Sequence, residues 1–262
     1  MKIIESSGIN KTALSLGLLI GATTLISSFL FGHEGQPIIF IVLIIAVLYL
    51  MHTLTTHIPD RKLFYYSCAA VFLFRVIPSP VEPVEWYMMN KLKLDDEFFS
   101  QVRIISTIIS TLLLISLSGY IRKSGVKQVL ILCTVLDLFS NIPMLGLHYG
   151  FIPLNPEYVL YFDSAFSSTI GSLSMIPLHV LLCSYTPEKN KSTYIAITAS
   201  FSNAALMAGD LITKHLNKIY VVSPDDFTVF GPLLISCLVI SVILSTIGII
   251  LLYNYKPYVS IK

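Results

Sequence analysis

Charge is scarce in this sequence. Aspartate, glutamate, lysine and arginine together make up 12 % of the 262 residues, against about a quarter in a soluble globular chain. A chain that is 55 % hydrophobic cannot cover its apolar surface in water with so few charges, so lipid must be the solvent for much of it. Cysteine is equally sparse: Cys68, Cys133, Cys183 and Cys237 each lie in a different apolar run, with no metal-ligand spacing, and read as buried thiols. Glycine-rich phosphate loops, His-Glu-x-x-His and Gly-x-Ser-x-Gly are all missing. No nucleophile–base or metal constellation points to an enzyme, nothing calls for a cofactor, and no basic cluster suggests nucleic acid.

Long hydrophobic runs are plentiful. A helix rises about 1.5 Å per residue, so roughly 20 residues cross the hydrocarbon core. The runs predict about eight spans, near 12–31, 37–57, 63–90, 97–121, 128–148, 157–184, 193–217 and 227–254. The fold class is therefore an all-α membrane bundle with short loops. Lys2 and Lys11 ahead of the first run resemble a signal peptide, but the run is too long for one, and we read it as a retained span.

An even number of spans puts both termini on one side. That side would carry Lys2, Lys11, Arg61, Lys62, Arg122, Lys123, Lys127, Lys189, Lys191, Lys256 and Lys262. The other would hold Lys91, Lys93, Lys214 and Lys218. The positive-inside rule then makes both termini cytoplasmic, in a plasma (inner) membrane.

Polar residues inside the runs fall on helical stripes. Arg103, Thr107, Ser110, Thr111 and Ser118 share one face of the fourth span, and Thr134, Asp137, Asn141 and His148 one face of the fifth. Asp163 adjoins Ser164, Ser167, Ser168 and Gly171 in the sixth; Ser200, Asn203, Met207, Asp210 and Lys214 align in the seventh. The serines read mainly as small residues that let helices approach. The pair Asp210 and Lys214, near a span end, reads as structural or wet, and His179 as packed or water-facing. Arg103, Asp137 and Asp163 are different. A charge at membrane depth costs roughly 2.5–3.5 kcal/mol on insertion scales, so these three should face the bundle interior and balance one another around a polar cavity.

The third span holds Arg75, Pro78, Pro80, Glu82, Pro83 and Glu85 within an apolar stretch. Proline removes a backbone donor and clashes with the preceding turn, so this helix must kink or open. Two readings stand. The helix is broken beside a binding site, as in transporters, or it ends at Pro78 and leaves Glu82 and Glu85 in an outer loop.

In order along the chain, Pro78 to Leu92, Glu97-Phe98-Phe99-Ser100-Gln101-Val102-Arg103, Leu136-Asp137-Leu138, Phe162-Asp163-Ser164, Met175-Ile176-Pro177, and Pro187 with Thr193, Ala196, Ser200 and Asn203 resemble the motifs of the folate–biopterin transporter family. That family is a branch of the major facilitator superfamily. The loop Gly119 to Lys127 resembles a degenerate copy of the superfamily's basic loop. Pro80, Glu82, Pro83 and Glu85 shift the family's pattern after the proline, and Lys191 stands where a glutamate is usual.

The resemblance implies a secondary transporter for folate or pterins, working by alternating access. Arg103, Asp137, Asp163 and Asn203, with Arg75, Glu82 and Glu85, would line its pathway. It also implies about twelve helices in two halves. This chain would hold the last two of the first half, residues 1–62, and the six-helix second half, residues 63–262. The expected partners are therefore the substrate, the lipid bilayer, and a chain supplying the missing helices or a second copy in a homodimer. The alternative is a transport-inactive membrane fragment of a split or decaying gene.

Overall fold

The computed structural model describes residues 11–54, 61–184 and 191–254. In chain order the helices are α1 (Lys11–Phe31), α2 (Gln36–Leu54), α3 (Arg61–Arg75), α4 (Val81–Trp86), α5 (Asp96–Lys123), α6 (Val126–Tyr149), α7 (Pro156–Ser184), α8 (Lys191–Ile219) and α9 (Phe230–Asn254). No strand is present among the described residues. Among the described residues, five helices are long and apolar enough to cross a membrane: α1, α2, α5, α6 and α9. Helices α7 and α8, of 29 residues each, match them in length but carry the aspartates and serine stripes. The chain is a multi-pass membrane protein.

Local chemistry sets the helix ends. Asp95 caps α5, its carboxylate accepting the Phe98 N–H at 2.9 Å, with Asp96 and Glu97 in the first turn where acids suit the helix dipole. At the start of α6 the Gly125 N–H donates to Gln128 Oε1 at 3.0 Å. Helix α6 stops at Gly150, which takes the left-handed conformation (φ 72°) that glycine adopts without a side-chain clash.

The expected third span is not one helix. It runs as α3, breaks over residues 76–80, and restarts as α4, which passes into a π-helical turn over Tyr87–Lys91. The reading in which the chain simply ends its helix at Pro78 is thus overturned for the backbone, although Glu82 and Glu85 are exposed. The break is held by α8. Gly209 lies so close to it that a Cβ would sit 2.7 Å from the Ile77 carbonyl oxygen. One turn on, Thr213 Oγ1 accepts the Ser79 N–H at 2.9 Å. A backbone donor freed by the prolines therefore finds a protein partner, the condition for irregular backbone at membrane depth.

Helices α3 and α9 pack together, flanked by α8 on one side and α6 on the other; α7 packs on α6, and α5 on α7. Helix α2 lies along α8, and α1 along α2. Lys214 of α8 pairs at 2.9 Å with Glu34 in the turn between α1 and α2. One apolar cluster includes Val47 and Met51 of α2, Phe64 and Phe74 of α3, Cys133 of α6, Leu173 of α7 and Leu252 of α9. A second, toward the other end, centres on Tyr87, Met144, Leu160, Phe230 and Leu233. There Tyr87 stacks on Phe230 with ring centroids 4.6 Å apart, fixing the π-helical turn against the start of α9. Helix α1 is apolar all round, and Leu18, Leu25 and Phe29 are exposed, a surface suited to lipid.

Candidate functional site

Two adjoining cavities lie where the apolar clusters meet. The first, of about 240 Å³, is bounded by the break at Pro78, Ser79 and Pro80, by Thr134, Asp137 and Asn141 of α6, by Ser167, Gly171 and Ser174 of α7, and by Ser241 and Ser245 of α9. The second, of about 260 Å³, holds Glu85 of α4 and Asp163 of α7. Ser79, Pro80, Asn141, Ser167 and Leu234 line both, so the two are continuous. Among the described residues no lysine, arginine or histidine lines either one. Their ionisable lining consists of three carboxylates and the thiols of Cys133 and Cys237.

Asp137 is held in place. Its carboxylate accepts the Ser241 hydroxyl from α9 at 3.3 Å, and Asn141 donates to the Asp137 carbonyl at 2.8 Å. It stands midway along α6, at the depth where a charge most needs polar company. Asp163, half-buried, receives no hydrogen bond among the described residues and faces the cavity.

Arg103 stands elsewhere. It is exposed on α5 and lines a third cavity of about 270 Å³ with Phe99, Val102, Ser106, Thr107, Ser164 and Ser168. No ion pair joins it to either aspartate among the described residues; its neighbours on α7 are Ser164 and Ser168. Asp137 and Asp163 line adjoining cavities, but the expected balance of all three charges around one cavity is not what the structure shows, since Arg103 lines a separate pocket.

The remaining expected residues are more scattered. Glu85 joins Asp163, whereas Glu82 is exposed on the first turn of α4, outside these cavities. Arg75, the last residue of α3, is half-buried, and its Nε has no hydrogen-bond partner among the described residues. Asn203 is exposed on α8, away from the cavities. The side chains of His179 and Cys183 lie outside the described residues.

Most hydroxyls on the polar stripes bond back to their own helix: Thr107 to the Arg103 carbonyl at 2.7 Å, Thr111 to that of Thr107 at 2.8 Å, Thr134 to that of Leu130 at 3.0 Å. Sequence reasoning missed Ser241 and Ser245. With Cys237 they recur every four residues on one face of α9, a stripe of small residues that marks the cavity side of an otherwise apolar helix.

No curated protein and no solved structure matches the chain. A family model does: the BT1 family, over residues 24–260. With nearly all of its length matched, the chain belongs to the BT1 family, the folate–biopterin transporter family that its motifs resemble.

Proposed function

We propose that this chain forms part of a secondary transporter for folate or a pterin, working by alternating access in the plasma membrane with both termini cytoplasmic. One observation carries the reading: in a chain of a transporter family, Glu85, Asp137 and Asp163 surround a continuous cavity at a broken helix, with no basic residue beside them among the described residues. Carboxylates at this depth are costly, and transporters place such groups, with broken helices, at their substrate and ion sites.

In this reading α3 to α9 form the six-helix half (residues 63–262), and α1 and α2 belong to the other (residues 1–62). Eight crossings result, with α3 and α4 together making one. Alternating access needs two bodies rocking around a shared site. The second body is completed by helices outside these residues, from a complementary chain or a second copy. Asp137 and Asp163 bind protons or accept hydrogen bonds from the substrate ring, and Arg103 attracts an anionic group. Arg75, Glu82, Glu85 and Asn203 flank the route.

The test is uptake of radiolabelled folate and pterin by vesicles containing the full chain together with the complementary helices of a family member. Accumulation that falls at least tenfold in Asp163→Asn supports the reading. Accumulation of neither compound would sink it.

A further inference from the structure

We propose that the site recognises its ligand from two ends: the carboxylate cavities take a ring rich in N–H donors, and Arg103, on the other flank of α7, takes a carboxylate at the far end of the same molecule. The proposal rests on the transport reading above and names which part of a folate each wall holds.

Charge is segregated. The continuous cavity beside the helix break is lined by Glu85, Asp137 and Asp163, with no basic side chain among the described residues. An anionic group entering it would meet like charge, whereas neighbouring ring N–H and amine donors match a carboxylate's two oxygens. The pocket at Arg103 has the opposite character. No acidic residue lines it, and the guanidinium has no hydrogen-bond or ion-pair partner among the described residues. The Ser106 hydroxyl, on a residue only 5 % exposed, lines this pocket and is also without a partner. A buried hydroxyl left unmatched beside an unpaired arginine fits a carboxylate, whose oxygens accept from both.

The two sites adjoin on α7. Asp163 and Ser164 are consecutive on α7, one lining the acidic cavity and the other the arginine pocket. Exposed Ser167, Ser168 and Gly171 put no bulky side chain between them, and a Cβ built on Gly171 meets nothing within 4 Å. Arg103 and Asp163 each stand seven residues past the first residue of their helix, and α5 and α7 begin on the same side of the bundle. The two groups therefore lie at similar depth, and a bound molecule lies across α7 rather than along it.

A pterin ring carrying an acidic tail engages both ends; an unconjugated pterin engages one. The full chain in lipid nanodiscs should bind tritiated folate about tenfold or more tightly than an unconjugated pterin, the range expected for hydrogen bonds to a charged partner. Arg103→Ala should bring folate affinity down to that of the pterin while leaving pterin binding unchanged, which also reports an intact fold. Ser168→Phe, which narrows the arginine pocket while leaving every charge in place, should do the same, and Asp163→Asn should weaken both ligands. Equal losses for both ligands in Arg103→Ala, or undiminished folate binding, would overturn two-ended recognition and leave the transport reading standing. A wild-type chain that binds neither ligand overturns the transport reading itself.

Discussion

The backbone N–H of Ser79 donates to the Thr213 hydroxyl at 2.9 Å, joining residues 134 positions apart. This bond anchors the broken segment to α8 and so holds one wall of the cavity. Thr213→Val keeps the shape of the side chain but leaves the Ser79 donor unmatched. We expect a loss of about 0.5–1.5 kcal/mol of stability, the net worth of a typical hydrogen bond, seen as a lower thermal midpoint in detergent. Thr213→Ser should retain most of it. Gly209→Ala should be worse than either, since its Cβ would lie 2.7 Å from the Ile77 carbonyl oxygen and the break itself would have to move.

Asp137 sets stability against function. Its carboxylate has a hydroxyl partner in Ser241 but no cation in its cavity lining among the described residues, so charge at that depth opposes folding. Asp137→Asn keeps a hydrogen-bonding side chain of the same size. We expect the thermal midpoint to hold or rise while uptake falls at least tenfold, a trade typical of functional polar groups in a core. A variant that is both less stable and fully active would show that the charge is structural.

Topology follows from the helix order and the basic loops. Reporter fusions after Lys127 and at Pro153, at opposite ends of α6, should lie on opposite sides of the membrane, with the Lys127 reporter cytoplasmic. Both reporters on one side would remove α6 as a crossing.

Much of this architecture was legible in the sequence because lipid imposes simple demands: apolar runs of fixed length, and polar residues gathered on helix faces. The prolines at 78, 80 and 83 marked the broken helix, and the spacing of Asp137 and Asn141 marked one wall of the cavity. The position of Arg103 was not legible. Periodicity assigns a residue to a face of its own helix but does not say which neighbour that face meets, and here Arg103 meets Ser164 and Ser168 of α7 rather than an aspartate. The anchor at Gly209 and Thr213 was hidden for the same reason, since a glycine and a threonine in a helix advertise no contact until the break is laid against them. Ser241 and Ser245 were overlooked in so apolar a helix, although their four-residue spacing was there to read.

The central claim is that the cavity around Asp137 and Asp163 is a water-filled, ligand-holding route, and Ser167 lines both of its parts. The most direct measurement places a single cysteine there. In a background with Cys68, Cys133, Cys183 and Cys237 replaced, Ser167→Cys is treated with a charged, membrane-impermeant thiol reagent, with and without folate or a pterin. Ile115→Cys, exposed on α5, serves as the lipid-facing control. The account predicts that the thiol at 167 reacts, that ligand slows the reaction several-fold, and that the thiol at 115 stays unmodified. A thiol at 167 as inert as the one at 115, or one whose rate ignores both ligands, would contradict it.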